Sequence, residues 1–304
     1  MTSDTSFQDT PTPAGAVVAA IDGSHRDAAV VDWAAAEAAA VNAPLHLVHA
    51  VDLGTPLSAY GELLTSTEIV DRIEQDSVRV AKEAVERVAA SRPDLAVTSA
   101  LPTGAPAGAL LNAADGARLL VVGSARKSKA ERIVLGTTSL SVVAHSPCPV
   151  ILVPENCDIT GDGRVVVGID GSEHSRLAFR YALEAAALRG KKVTTVTSWN
   201  VEVENGIVVT EPGSPEWEAV DTRYRTMAEE RIAEDRKAHP DIEVTVEVHH
   251  GRAADTLVEV ADGADLLLVG SRGRGGFRGM LLGSVSQRVL SLATCPVGIL
   301  HKHD

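Results

Sequence analysis

Asp170-Gly171-Ser172 and Gly270-Ser271-Arg272-Gly273 are the stretches of this chain best equipped for chemistry. The first puts a carboxylate before a residue free to adopt positive φ and then a hydroxyl, which is turn and helix-cap chemistry and also a ligand for polar groups. The second opens the segment GSRGRGGFRGMLLGS, from Gly270 to Ser284, in which six of fifteen residues are Gly and three are Arg. Glycines let backbone N–H groups close on an anion. A helix beginning after Gly283 points its unsatisfied N–H groups and the positive end of its dipole at the same place. Ser284 and Ser286 add hydroxyl donors, and Arg272, Arg274 and Arg278 add positive charge. Together these parts describe a polyphosphate cradle.

Other readings of the loop fit less well. No GxxxxGK followed by Ser or Thr comes after an early strand, and GxGxxG fails because position 278 is Arg. An arginine-glycine segment that binds RNA belongs in a disordered tail, whereas this one lies between apolar stretches of a chain with net charge −13 and only 3% aromatic residues. The competing role for Asp22 and Asp170 is helix capping, which can coexist with ligand contact.

The elements that must position these residues occur twice. VVAAIDGS from Val17 returns as VVVGIDGS from Val165, LLVVGS from Leu119 as LLLVGS from Leu266, and CPVILV from Cys148 as CPVGIL from Cys295. The offset between copies holds to within one residue, so the chain is two homologous domains. In each, short apolar runs alternate with Ala-rich or charged helical segments. That predicts an α/β fold: two tandem doubly wound domains, each a five-stranded parallel sheet flanked by helices. The expected division is a disordered tail over 1–14, domains over 15–154 and 164–304, and a linker over 155–163. Asp22, Asp170, Gly123 and Gly270 all fall at C-terminal strand ends, where ligands bind on such sheets.

Composition bounds the rest. The 304 residues are 45% hydrophobic, enough for two cores. The acidic balance argues against nucleic acid or an anionic membrane as the main partner. Cys148, Cys157 and Cys295 form no zinc spacing, the polar N-terminal stretch lacks signal-peptide character, and no run is long enough for a membrane span, so the expected location is the cytoplasm. The last strands of the two domains are too apolar for exposed edges. The expectation is that they pair the domains into a pseudo-dimer, with a homodimer of whole chains beyond it.

Gly270-x2-Gly273-x9-Gly283-Ser284, with Asp170 ending the first strand, resembles the ATP-binding pattern of the universal stress protein family. The stretch from about Ala16 to Leu300 is similar to the tandem arrangement of mycobacterial members. The resemblance implies an adenine nucleotide alpha hydrolase-like fold and an ATP ligand, with Mg2+ bridging its phosphates. It places Asp170 at the adenosine end, Gly168 where the first strand approaches the nucleotide, and the backbone of Ser198 at the adenine. Gly270, Ser271, Arg272, Gly273, Arg274, Gly275 and Gly276, with Gly283, Ser284, Val285 and Ser286, hold the phosphates. Its counterparts in the first repeat are Asp22, Ala50, Gly123, Ser124, Ala125, Arg126, Gly136, Thr137 and Thr138. Two departures stand out: Arg126 where the motif has its second Gly, and Ala20 opposite Gly168. Arg126 either blocks the phosphate or grips it.

The expected function is an ATP-binding stress-response regulator with at most slow hydrolysis and an unidentified protein partner. Fast phosphoryl transfer needs a positioned carboxylate beside the cradle, and the second loop has none while the first has only Glu131. The rivals are an adenylate-transferring or ATP-hydrolysing enzyme, whose SGGxDS-like loop IDGSEHS matches poorly, and an interaction scaffold with vestigial sites. His46 and His49 read as packing residues. His249 and His250 lie at a strand end near the cradle.

Overall fold

The computed structural model describes residues 10–52, 67–124, 136–155, 157, 161–204, 206–209, 211–274 and 281–302. They fall into two compact units, Met1–Asn156 and Cys157–Asp304. In the first, β1 (Val17–Ala20), α1 (Asp27–Ala40), β2 (Leu45–Val48), α2 (Thr67–Ser91), β3 (Val97–Ala100), α3 (Pro106–Ala113), β4 (Leu119–Ser124), α4 (Thr137–His145) and β5 (Val150–Pro154) alternate. The second runs β6 (Arg164–Gly168), α5 (Glu173–Arg189), β7 (Lys192–Trp199), β8 (Val203–Glu204), β9 (Ile207–Val208), α6 (Pro215–Ala238), β10 (Val244–His250), α7 (Ala253–Val260), β11 (Leu266–Gly270), α8 (Ser284–Leu292) and β12 (Val297–Leu300).

Within the first unit the strands lie in the order β3-β2-β1-β4-β5, and within the second β10-β7-β6-β11-β12, every neighbouring pair parallel. Central strands such as VVV at 165–167 and LLL at 266–268 are fully apolar because both faces are covered, and all six side chains are buried. Right-handed crossovers put α5 and α6 on one face and α7 and α8 on the other, and each pair packs together. The first unit repeats this with α1 against α2 and α3 against α4. Chain direction across the sheet reverses between β1 and β4, and between β6 and β11. Each reversal leaves a crevice beyond the strand ends.

Equivalent turns leave the first strand of each unit. Ile21 donates its N–H to Val48 O at 3.0 Å, and Ile169 donates to Val196 O at 2.9 Å. Gly23 and Gly171 follow with φ of +80° and +81°, a conformation that a side chain resists. Ser172 then caps α5 by accepting the Ser175 N–H at 3.1 Å, and Gly190, at φ +62°, ends that helix.

The β8–β9 hairpin is a feature the sequence reading passes over. It is antiparallel, pairs Val203 with Val208, and turns at Gly206 with φ +80°. The Asn205-Gly206 dipeptide is its signal, but two residues on each side are too few to register as alternating strands.

Helix α5 passes so near β11 that a Cβ on Gly270 would stand 2.5 Å from His174 Cβ and 2.8 Å from the His174 carbonyl carbon. At Gly123 the nearest atom is Val30 Cγ2, at 3.2 Å. A helix backbone yields less readily than a valine methyl. Gly270→Ala is therefore expected to destabilise the second domain by about 1–3 kcal/mol, and Gly123→Ala to cost the first domain clearly less. Denaturant titration followed through Trp199 and Trp217 for one domain, and Trp33 for the other, measures the difference.

Candidate functional site

In the second unit the crevice between β6 and β11 is a pocket of about 260 Å³. Asp170 lines it, half-buried, just past the end of β6. One carboxylate oxygen accepts the Ser172 N–H at 2.9 Å. The other accepts the Arg274 N–H at 3.0 Å, which ties the Gly-rich loop to the turn after β6. Gly273 sits against that second oxygen so closely that a Cβ there would collide with it. The glycine at 273 is thus required by the carboxylate beside it.

Burial is the strongest influence on Asp170 and works to raise its pKa. The Ser172 hydroxyl and amide, the Arg274 amide and Ser175 outweigh it and hold the carboxyl below its ordinary value. Asp170 is therefore an anion that only accepts hydrogen bonds. The Arg274 guanidinium lies over Gly171 and reaches Met227 Sδ at 3.5 Å. Arg231 donates to Gly171 O. The same lining so holds an acceptor-only carboxylate and two arginines, Arg272 and Arg274.

The first unit has a corresponding pocket of about 490 Å³ between β1 and β4. Its turn is closed by other means. Asp22 accepts from Ser24 N at 3.0 Å with one oxygen and from Arg26 Nη2 at 2.7 Å with the other. Asp27, in the first turn of α1, accepts from Asp22 N at 3.0 Å and Gly23 N at 2.8 Å. Four carboxylate oxygens are thus satisfied inside one short turn, whereas Asp170 reaches across to a distant loop.

For Asp22, burial pulls upward, but Ser24 and Arg26 prevail and hold the carboxyl below its ordinary value. For Asp27, burial dominates and the charge of Asp22 adds to it, pushing the carboxyl from 3.8 up to about 6 against two N–H donors. The folded domain then binds this proton more tightly than the unfolded chain does. Asp27 thus costs the first domain stability as pH rises from 3.8 through about 6. A carboxyl 13C titration is expected to give Asp27 a midpoint near 6, and Asp27→Asn to flatten first-domain stability across that window.

Of the residues singled out from the sequence, Gly168, Asp170, Ser198, Gly270, Arg272, Gly273, Arg274, Val285 and Ser286 line the second pocket. Asp22, Ala50, Gly123, Gly136, Thr137 and Thr138 line the first. Ser271 and Ser124 are buried beneath the walls, and Ser271 O accepts the Gly283 N–H at 2.8 Å. Gly283 and Ser284 start α8 outside the second lining. Gly275, Gly276, Arg278, Ala125, Arg126 and Glu131 lie outside the described residues.

One expected role needs correction. The Ser286 hydroxyl is not free to donate to a ligand: it donates to Gly270 O at 2.7 Å and fastens α8 to β11. Ser139 does the same for Gly123 O at 3.3 Å, and it also lines its pocket although the sequence reading left it out.

Further lining residues come from elements read as structural. Tyr224 and Met227, three apart on the largely charged α6, face the second pocket. That apolar pair at helical spacing was the available signal. Arg26, Asp27 and His49 line the first pocket. Of the other histidines, His46 is core and bonds Thr98 Oγ1 at 2.8 Å. His249 pairs with Glu247 at 2.8 Å, and His250 with Asn200 O at 2.8 Å beside Trp199 and Trp217. Neither His249 nor His250 lines the pocket.

Known proteins with the same layout are close at hand. The model of the universal stress protein family matches residues 14–154 and again 163–301. A universal stress protein of Mycolicibacterium smegmatis is 32% identical over 289 residues, covering 93% of this chain and 96% of that protein. One from Mycobacterium tuberculosis is 36% identical over 291 residues, covering 92% and 95%. Among solved structures, a universal stress protein of Archaeoglobus fulgidus shares the fold with a TM-score of 0.72 at 20% identity, over 95% of this chain and 99% of that one.

Proposed function

The chain belongs to the universal stress protein family, as a tandem of two such domains, and from that premise we propose that it is an ATP-binding stress-response regulator. The observation that carries the reading is the Asp170–Arg274 bond at 3.0 Å. It ties a glycine-rich, arginine-bearing loop to an acceptor-only carboxylate within one pocket. Such a lining suits a ligand that carries both hydrogen-bond donors and anionic oxygens, and ATP is that ligand: amine or ribose hydroxyls meet Asp170, and phosphates meet Arg272, Arg274 and the start of α8.

Mg2+ accompanies the phosphates in this reading. Among the described residues no three His, Cys, Asp or Glu are grouped to hold a metal ion. Hydrolysis is slow for a related reason. The second loop carries no carboxylate to orient water, so the pocket binds and positions without activating a nucleophile. Among the described residues no helix is long and apolar enough to cross a membrane. A cytoplasmic homodimer signalling to a protein partner completes the proposal. ATP calorimetry on the full chain tests it, with steady-state phosphate release alongside. Absence of binding removes the reading, and rapid turnover replaces it with an enzyme.

A further inference from the structure

The two pockets differ at one wall position that the shared register makes strictly comparable. Ala20 pairs with Val48 across β1 and β2, and Gly168 pairs with Val196 across β6 and β7. The next residue along each second strand is His49 in the first unit and Thr197 in the second. Both turn a side chain to the same carbonyl: His49 Nδ1 to Ile21 O at 3.0 Å, and Thr197 Oγ1 to Ile169 O at 2.9 Å.

That shared contact fixes the imidazole. A carbonyl oxygen only accepts, so Nδ1 carries the proton and Nε2 of the neutral ring is left with a lone pair. Nε2 has no partner among the described residues, and His49 lines the pocket. Thr197 is only 3% exposed, and its hydrogen is already given away. The first pocket thus holds an unused acceptor where the second offers a buried hydroxyl.

We propose that His49 is a ligand-reading residue of the first pocket: its Nε2 accepts a hydrogen bond from an amino or hydroxyl group of the bound nucleotide and selects ligands that carry that donor. The inference rests on the nucleotide reading of this pocket and assigns its specificity to one residue. The donor is either the 6-amino group of the purine or the ribose 2′-hydroxyl. Inosine triphosphate lacks the first and 2′-deoxyadenosine triphosphate lacks the second.

The test uses the full chain carrying Asp170→Ala, which silences the second pocket, titrated with ATP and both analogues. One analogue is expected to bind about fivefold more weakly than ATP, the size of one neutral hydrogen bond. Adding His49→Thr should lower ATP to that analogue's affinity and erase the difference between them, while His49→Gln, which keeps an acceptor, restores part of it. Threonine is native to this position in the second domain, and an unchanged first-domain denaturation, followed through Trp33, confirms the fold of His49→Thr. If His49→Thr leaves affinity and discrimination unaltered, the inference falls. A chain that binds ATP only through Asp170 also overturns it, yet leaves the second pocket's reading standing. A chain that binds no ATP at all overturns both.

Discussion

Gly273→Arg weakens ATP binding at the second pocket by at least tenfold, a loss of about 1.4 kcal/mol. The cause is the Asp170 carboxylate more than the phosphates. A Cβ at 273 collides with the oxygen that accepts the Arg274 N–H, so any side chain pushes the carboxylate aside and frees the loop. A hydrogen bond to a charged acceptor contributes about 1.5–3 kcal/mol, enough for the stated loss before the arginine's own bulk is counted. Gly273→Ala isolates this cause: it should account for most of the effect. Calorimetry beside circular dichroism decides. If Gly273→Ala binds like the wild type while Gly273→Arg does not, obstruction of the phosphate path is the better account. If neither binds less, the loop is not the cradle.

Asp170→Ala and Asp22→Ala separate the two pockets. Two sites per chain are expected, with the first weaker, because a ligand donor reaching Asp22 must displace the Arg26 ion pair at 2.7 Å. Asp170→Ala should remove the tighter site, as a partner of several donors is lost. Asp22→Ala should remove the weaker site and leave the tighter one intact. The count comes from the titration's stoichiometry. One site per chain, untouched by Asp22→Ala, would make the first domain a structural partner only.

The sheet architecture was legible because its signals are local and repeated. Runs such as LLVVGS and LLLVGS can only be buried strands, and the Asp-Gly-Ser turns name their own conformation. The candidate pocket was legible in outline for the same reason, since Asp170, Gly270 and Gly273 lie at strand ends. What escaped depends on tertiary neighbours. Nothing near Ser286 in sequence tells that its hydroxyl goes to Gly270 O. Tyr224 and Met227 were hidden in a helix that is charged on most sides, and their meaning comes from the sheet it crosses. Asp27 looks like an ordinary first-turn acid until its carboxylate is seen closing the turn before it.

The separation in sequence of those carboxylate partners sets an order in time. Asp22 finds Arg26 four residues away, so this pair forms with the first turn of α1. Asp170 must wait for Arg274, 104 residues further on. Contacts of such span form late, because the intervening chain has to be organised before they close. During synthesis every partner of the first turn is in the chain while most of the protein is unmade, whereas the second turn lacks its partner until Arg274 has been added. A nucleotide that needs the Asp170 tie therefore recognises only the finished domain, and its binding energy bears wholly on the last step of folding.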